Sequence, residues 1–174
     1  MSKVIFISGP PRSGKSTVLI KTIELLKQRG LKVGGVITPE MRKEGKRIGF
    51  SVKDVYSGEE GILACTGVHG KPRLGKYSVN LKDFERVALK ALDFAIKECD
   101  IICVDELAPM EMFSQDFRKI IAKLFKTNKP ILVAVHRSLI KNYEKQGKVI
   151  WVTRNKVNEI VDDIITKLNH LHKE

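Results

Sequence analysis

The residues with the most specific spacing for chemistry are Gly9-Pro10-Pro11-Arg12-Ser13-Gly14-Lys15-Ser16, which fit the pattern G-x-x-x-x-G-K-[ST]. Glycines at these places let successive backbone N–H groups converge on phosphate oxygens, and a helix N-terminus behind them adds positive potential. We therefore expect a phosphate-binding loop in which Lys15 bridges the β- and γ-phosphates and the Ser16 hydroxyl ligates Mg²⁺. The predicted nucleotide-binding residues are Gly9, Pro10, Pro11, Arg12, Ser13, Gly14, Lys15, Ser16 and Thr17.

Two adjacent acids follow a second apolar run. Ile101–Val104 reads as a buried central strand, and Asp105 and Glu106 follow it directly. Ligands of open α/β sheets bind at the carboxyl ends of the strands, which places both carboxylates at the expected nucleotide site. Asp105 is the candidate metal residue and Glu106 the candidate base for an attacking water. A helix cap for Asp105 and a surface carboxylate for Glu106 are the alternative interpretations.

Basic residues supply further candidates. Arg137 comes two residues after the predicted strand Ile131–Val135, where it can contact a terminal phosphate or lie on the surface. Arg12 can cover the nucleotide or face solvent. The lone tryptophan, Trp151, lies in an apolar run, which predicts a core residue rather than a platform for a base.

The elements needed to position these residues alternate between strand and helix. Val4–Ile7 predicts a buried strand before the glycine-rich loop, and the helical spacing of apolar residues from Ser16 to Arg29 predicts a helix after it. Helices are also predicted over Leu81–Glu98, Gln115–Phe125 and Asn158–Leu171, and strands over Val33–Ile37, Ile131–Val135 and Val149–Val152. This alternation indicates an α/β fold with a central, mostly parallel sheet flanked by helices in three layers.

The section between the second strand and the Leu81–Glu98 helix differs. Apolar and polar residues alternate around Ile48–Val52, and a glycine-flanked turn separates them from Ile62–Cys65. This predicts an antiparallel hairpin at about residues 45–66, followed by a loop from Gly67 to Gly75.

Length and composition limit the class of protein. With 174 residues, 43% hydrophobic and 30% charged, we expect a single domain over residues 1–174. Apolar runs far shorter than the ~20 residues of a membrane span, and no secretory leader, predict a soluble cytoplasmic protein. Three cysteines without metal-ligand spacing predict reduced packing residues. The net charge of +12 permits a nucleic-acid partner, but no aromatic residues interleave with the basic cluster, so that partner is not favoured.

Four segments resemble the THEP-type nucleoside-triphosphatase family of P-loop proteins. The stretch 105–114, Asp-Glu-Leu-Ala-Pro-Met-Glu-Met-Phe-Ser, is similar to the family's D-E-[IL]-x-x-M-E-x-[FM]-S segment. Residues 38–42 and 47–50 are similar to its T-x-E-x-R and R-x-G-F elements, and residues 75–80 to its G-x-Y-x-V element. With the phosphate loop, the resemblance extends from about Val4 to Arg137.

The resemblance implies a RecA-like P-loop fold and Mg²⁺-dependent hydrolysis of ATP, GTP, CTP and UTP to the diphosphate and phosphate, with little base selectivity. By the same resemblance, Gly9–Ser16 bind the triphosphate, Asp105 serves Mg²⁺, Glu106 is the base, and Glu111 organises the site or forms a structural ion pair.

Two other functions stay open. A nucleotide or small-molecule kinase would use the same loop, with arginines of the 41–75 insertion (Arg42, Arg47 and Arg73) as a lid. A nucleotide-switched protein that binds RNA or another partner would use slow hydrolysis as a timer. The sequence does not specify the oligomeric state.

Overall fold

The computed structural model describes residues 3–174, which form an open β-sheet with helices on both faces. The strands, numbered in chain order, are β1 (Val4–Ser8), β2 (Val33–Ile37), β3 (Glu40–Lys43), β4 (Lys46–Asp54), β5 (Glu60–Cys65), β6 (Arg73–Leu74), β7 (Tyr77–Val79), β8 (Ile101–Leu107), β9 (Ile131–Val135) and β10 (Lys148–Trp151). The helices are α1 (Lys15–Gln28), α2 (Leu81–Glu98), α3 (Gln115–Leu124) and α4 (Val157–Lys173).

The half of the sheet that contains the phosphate loop is parallel. Its strand order is β10-β1-β9-β8-β2, so that β9 lies between the strand before the loop and the strand that carries the acidic pair. Helices α1 and α4 pack together on one face, and α2 and α3 pack together on the other. The predicted mostly parallel core between two helical layers is confirmed.

The other half of the sheet is antiparallel and larger than expected. The order continues from β2 through β4, β5, β7 and β6, and β3 pairs with β4. The hairpin predicted at about residues 45–66 is confirmed as β4 and β5. The loop expected from Gly67 to Gly75 is wrong in part, because β6 lies within it and pairs with β7. These strands are too short and polar to show an apolar pattern.

The β3–β4 hairpin projects beyond the end of β2. Only Lys53 and Asp54, at the end of β4, pair with Ile37 and Val36 of β2. The rest of β4, with β3, therefore extends past the carboxyl end of β2, at the edge of the sheet where the phosphate loop begins.

Both faces of the parallel half are tightly packed. Alternate residues of β1 point to opposite faces, so Phe6 packs with the α2–α3 layer while Ile5 and Ile7 pack with the α1–α4 layer. The two buried cysteines, Cys99 and Cys103, confirm the packing role predicted for them, and burial raises the pKa of the Cys103 thiol to about 12. Within residues 3–174, no helix is long and apolar enough to cross a membrane.

Candidate functional site

The predicted phosphate loop connects β1 to α1. Gly14 adopts a left-handed conformation with φ +100°, and α1 begins at the next residue, Lys15. Gly9 packs against the carbonyl oxygen of Val152, which a Cβ at Gly9 would approach to 2.8 Å. The loop therefore needs glycine at Gly9 to fit beside the end of β10.

The loop and the first turn of α1 contain three hydroxyl side chains. Ser13 is buried, and among residues 3–174 its Oγ has no hydrogen-bond partner. Ser16 and Thr17 are exposed in the first turn of α1, which contains no acidic residue to compete for an anion. The N-terminal end of a helix carries about half a positive charge, so these groups fit a phosphate.

Three other loop residues lie at the rim. Pro10, Pro11 and Arg12 are exposed. Arg12 has φ +60°, unusual for a side chain larger than glycine, and its guanidinium makes no ion pair or hydrogen bond within residues 3–174. Either position expected for it, over the nucleotide or in solvent, is sterically open.

Lys15 points from the loop toward β8. Its Nζ donates to the carbonyl oxygen of Gly9 at 3.3 Å and lies 3.6 Å from Oε2 of Glu106. The lysine side chain is 12% exposed and the glutamate side chain 28% exposed, so the pair is partly shielded from water. The sequence motif and the acidic pair, about ninety residues apart in the chain, thus meet at one place.

The acidic residues lie within β8 rather than after it. The strand predicted at Ile101–Val104 continues to Leu107, and its register with β9 shifts between Asp105 and Leu107. Glu106 is the extra residue at this bulge, which directs its side chain to the loop. The Thr38 hydroxyl, just beyond β2, donates to the Asp105 carbonyl oxygen at 2.9 Å and holds the bulge from the other side.

Asp105 and Ser16 form the candidate metal ligands. The Asp105 carboxyl is buried and within hydrogen-bonding reach of the Ser16 hydroxyl. Burial and the neighbouring Glu106 raise the pKa of Asp105 to about 7, against the opposing effects of Ser16 and Lys15. A buried carboxyl beside a hydroxyl fits Mg²⁺, whose charge would favour the ionised carboxylate.

The remaining Mg²⁺ ligands would have to come from elsewhere. Among residues 3–174, no group of three or more His, Cys, Asp or Glu side chains could hold a metal ion. This agrees with the usual Mg²⁺ arrangement, in which one or two protein ligands are completed by water and substrate phosphates.

A third carboxyl, that of Glu111, lies close enough to Glu106 and Asp105 to feel their charges. Glu111 is 3% exposed, and among residues 3–174 its Oε2 has no hydrogen-bond partner. Burial raises its pKa well above the ordinary value, assisted by Glu106 and Asp105 and opposed by backbone N–H groups of Glu111 and Ala108. Glu111 was expected either to organise the site or to form a structural ion pair. Within residues 3–174 it forms no ion pair.

Arg137 follows β9, the strand that lies between the strand before the loop and the strand that carries the acidic pair. The backbone N–H of His136 donates to the Leu107 carbonyl oxygen at 2.9 Å, which attaches the exit of β9 to the end of β8. Arg137 follows and is exposed. Its position at the site edge is compatible with a phosphate contact and with a surface role.

The three arginines considered for a kinase lid are already engaged. Arg42 and Arg47 both pair with Glu40, at 2.8 Å and 3.2 Å, and Arg47 also donates to the Tyr77 hydroxyl. Arg73 donates to the Ser78 hydroxyl at 3.0 Å. The Arg47 contacts join β4 to β3 and β7, and the Arg73 contact joins β6 to β7, whereas the Arg42 pair lies within β3.

The sequence pattern did not identify two parts of the site. They are Thr38, which contacts Asp105, and the segment 152–157, which lies beside the phosphate loop. Both follow the carboxyl end of a parallel strand, and that position was the available signal. The expectation that Trp151 is a core residue is wrong, since it is 53% exposed. Among residues 3–174, β10 is an edge strand that pairs with β1 alone, which leaves its other edge unpaired.

A phosphate loop after β1, an acidic pair on β8 and an intervening β9 define a P-loop nucleotide-binding protein with a RecA-like sheet. The family profile described as NTPase matches residues 4–165. The chain belongs to this family of nucleoside-triphosphate-hydrolysing enzymes.

Similar sequences and solved structures support this family. The chain is 40% identical to nucleoside-triphosphatase THEP1 of Pyrococcus abyssi, covering 94% of this chain and 90% of the relative, and 38% identical to THEP1 of Methanocaldococcus jannaschii, covering 94% and 96%. The crystal structure of THEP1 from Aquifex aeolicus superposes with a TM-score of 0.81 at 25% identity, covering 95% and 98% of the two chains. The solution structure of a human cancer-related nucleoside triphosphatase superposes with a TM-score of 0.79 at 33% identity, covering 95% of this chain and 97% of the other. The predicted family and fold are confirmed.

Proposed function

We propose that this protein hydrolyses nucleoside triphosphates to the diphosphate and phosphate in a Mg²⁺-dependent reaction that accepts ATP, GTP, CTP and UTP. The observation that carries the proposal is the 3.6 Å approach of Lys15 Nζ to Glu106 Oε2. It puts the group that would bind the terminal phosphates beside a carboxylate able to take a proton from water.

In the proposed reaction, each residue has one task. Backbone N–H groups of the non-proline residues in Gly9–Ser16 hold the β- and γ-phosphates, and Lys15 stabilises the charge that develops on them. Glu106 orients a water for in-line attack on the γ-phosphorus and accepts its proton. Arg137, at the exit of β9, contacts the terminal phosphate. Such catalysis depends mainly on positioning and electrostatics.

Asp105 and Ser16 would hold Mg²⁺, and Thr17, the next residue in the first turn of α1, would bind the nucleotide. Bound there, the ion would supply positive charge to offset that of the phosphates. The support is the buried Asp105 carboxyl in reach of the Ser16 hydroxyl.

Hydrolysis is favoured over phosphoryl transfer to an acceptor. A kinase lid needs arginines free to close over the phosphates, whereas Arg42, Arg47 and Arg73 are held in the antiparallel strands. We also propose a cytoplasmic location, supported by the free thiols of Cys65, Cys99 and Cys103.

The test is phosphate release from each of the four nucleotides with Mg²⁺ and no acceptor. Wild type should release phosphate from all four. Glu106→Gln should bind nucleotide normally but release phosphate at least a hundredfold more slowly, because general-base catalysis contributes roughly 10²–10⁴-fold. Glu44→Gln, on the exposed turn between β3 and β4, is the matched control and should behave as wild type.

One outcome would overturn the proposal, and a second would change the role of one residue. Bound nucleotide with no phosphate release would exclude a simple hydrolase. Full activity in Glu106→Gln would remove Glu106 from the reaction and shift the role of base to another group.

A further inference from the structure

Trp151 is an exposed indole immediately beside the phosphate loop. It is the last residue of β10, and it pairs in register with Ser8, the last residue of β1. The next backbone N–H, that of Val152, donates to the Ser8 carbonyl oxygen at 2.8 Å. Since adjacent strands lie about 4.8 Å apart, the backbone of Trp151 lies one strand away from Ser8, the residue that precedes the loop.

The chain after Trp151 stays against the loop. A Cβ at Gly9 would approach the Val152 carbonyl oxygen, and a Cβ at Gly14 would come within 2.9 Å of Val157 Cγ2. The residues between them, Thr153–Lys156, are exposed. The segment from Trp151 to Val157 therefore forms one wall of the phosphate loop.

The acidic pair determines which end of a nucleotide meets this wall. Lys15 reaches toward Glu106 on β8, which lies on the β9 side of β1. β10 lies on the opposite side of β1. If the terminal phosphate of an extended triphosphate is directed to Glu106, the β10 side of the loop, where Trp151 lies, is the side left for its nucleoside.

The indole is open to a ligand. It is 53% exposed, and within residues 3–174 no other aromatic ring pairs with it. An exposed tryptophan presents a large apolar surface beside the polar and charged groups of the phosphate loop and the acidic pair. A flat, apolar base is the part of a nucleotide whose chemistry matches that surface.

We propose that the base of the bound nucleotide stacks on the Trp151 indole. This assignment rests on the proposed function, and it adds the part of the substrate that the phosphate loop does not contact. Stacking on an aromatic ring is tolerant of base identity because every base presents a π-face. Stacking on the Trp151 indole thus supplies affinity for any nucleoside without selecting one.

The first test uses Trp151 as its own reporter, because it is the only tryptophan in the chain. ADP, GDP, CDP and UDP with Mg²⁺ should each change the indole fluorescence on binding. Inorganic tripolyphosphate with Mg²⁺, which fills the phosphate loop but has no base, should bind by calorimetry with a much smaller fluorescence change. Equal changes for the two kinds of ligand would contradict stacking.

The second test compares Trp151→Leu, Trp151→Phe and wild type. Trp151→Leu should weaken nucleotide binding by roughly tenfold to a hundredfold, the usual loss for a base-stacking aromatic, while tripolyphosphate affinity stays within twofold of wild type. Trp151→Phe should keep most of the nucleotide affinity. Tyr56→Leu, which removes another exposed aromatic on the β4–β5 turn, should change neither affinity.

The outcomes separate this proposal from the one on which it rests. Equal weakening of nucleotide and tripolyphosphate in Trp151→Leu would indicate a structural role, and no weakening of either would exclude stacking. In both cases a wild-type protein that hydrolyses nucleotides would leave the triphosphatase proposal intact. A wild type that binds no nucleotide would overturn both.

Discussion

The Thr38 hydroxyl donates a 2.9 Å hydrogen bond to the backbone carbonyl oxygen of Asp105, joining the end of β2 to the middle of the acidic pair. The next residue of β8, Glu106, reaches Lys15 on the opposite side. The bulge that carries the acids is thereby held between the strand that begins the antiparallel half and the loop that would bind phosphate. A site assembled in this way depends on sheet register as much as on its charged groups.

Replacing Lys15 by methionine should weaken binding of nucleoside triphosphate by about tenfold to a hundredfold. Hydrogen bonds to charged groups contribute about 1.5–3 kcal/mol, and Lys15 is the ammonium proposed to contact the terminal phosphates. Calorimetric titration with a nonhydrolysable triphosphate measures the loss. Lys21→Met, at an exposed lysine of α1 that contacts Asn158, is the matched control and should bind as wild type. Unchanged binding in Lys15→Met would show that the lysine has no phosphate contact.

Replacing Asp105 by asparagine should remove the contribution of Mg²⁺ to nucleotide binding. The variant loses the carboxylate that would ligate the ion, while the backbone N–H groups of the loop stay in place. We expect at least tenfold weaker binding than wild type in MgCl₂ and equal affinities in excess EDTA. Asp116→Asn, in the exposed first turn of α3, controls for loss of one negative charge. A loss of the same size in EDTA would indicate a folding defect instead.

Parts of the molecule with strong periodicity could be predicted from the sequence. Helix α2 begins and ends where its apolar stripe predicted, at Leu81 and Glu98. The phosphate loop was predictable because its spacing is specific and its flanking strand and helix are regular. The approach of Glu106 to Lys15 also follows from topology, because parallel strands present their carboxyl ends at one edge.

Other features depend on tertiary context that residue types do not carry. β8 was expected to end at Val104 because two acids follow, yet it continues through them, with Asp105 buried and linked to Thr38 and Ser16. Trp151 resembles a core residue in sequence but ends an edge strand, where the residues that the structure describes leave 53% of it exposed. The expected single domain and the proposed site roles stay predictions.

Glu111 should make stability depend on pH in a defined direction. Burial raises its pKa in the folded protein, so the folded state holds this proton where the unfolded chain has released it. The contribution of Glu111 to the free energy of unfolding is therefore complete below the ordinary glutamate pKa of about 4.5. It declines as the pH rises toward the raised pKa of the folded state. Glu111→Gln, which stays neutral, should gain in unfolding free energy relative to wild type as the pH increases from 5 to 8.

Urea unfolding at several pH values provides this comparison. Glu98→Gln, at the exposed end of α2, should give a profile parallel to that of wild type over the same range. If the profiles of Glu111→Gln and wild type are also parallel, the carboxyl is ionised in the folded protein and its burial is compensated by contacts beyond those described.

Gly35→Ala should destabilise the protein by roughly 2–4 kcal/mol, a range typical of steric clash in a core. Gly35 pairs with Cys103 in adjacent strands β2 and β8 and has φ +124°, and a Cβ there would collide with the Cys103 carbonyl oxygen. Gly58→Ala is the matched control, because Gly58 also has a positive φ, +79°, but faces open space. It should lose only about 1–2 kcal/mol, from its left-handed backbone alone.

Urea unfolding of both variants separates steric clash from backbone strain. If the two glycine variants lose equal stability, the close approach of β2 and β8 contributes nothing beyond the φ requirement. If Gly35→Ala loses more, the separation of these strands has little tolerance. Because β8 carries Asp105 and Glu106 two and three residues beyond Cys103, the surviving folded fraction should then also hydrolyse nucleotide more slowly than Gly58→Ala.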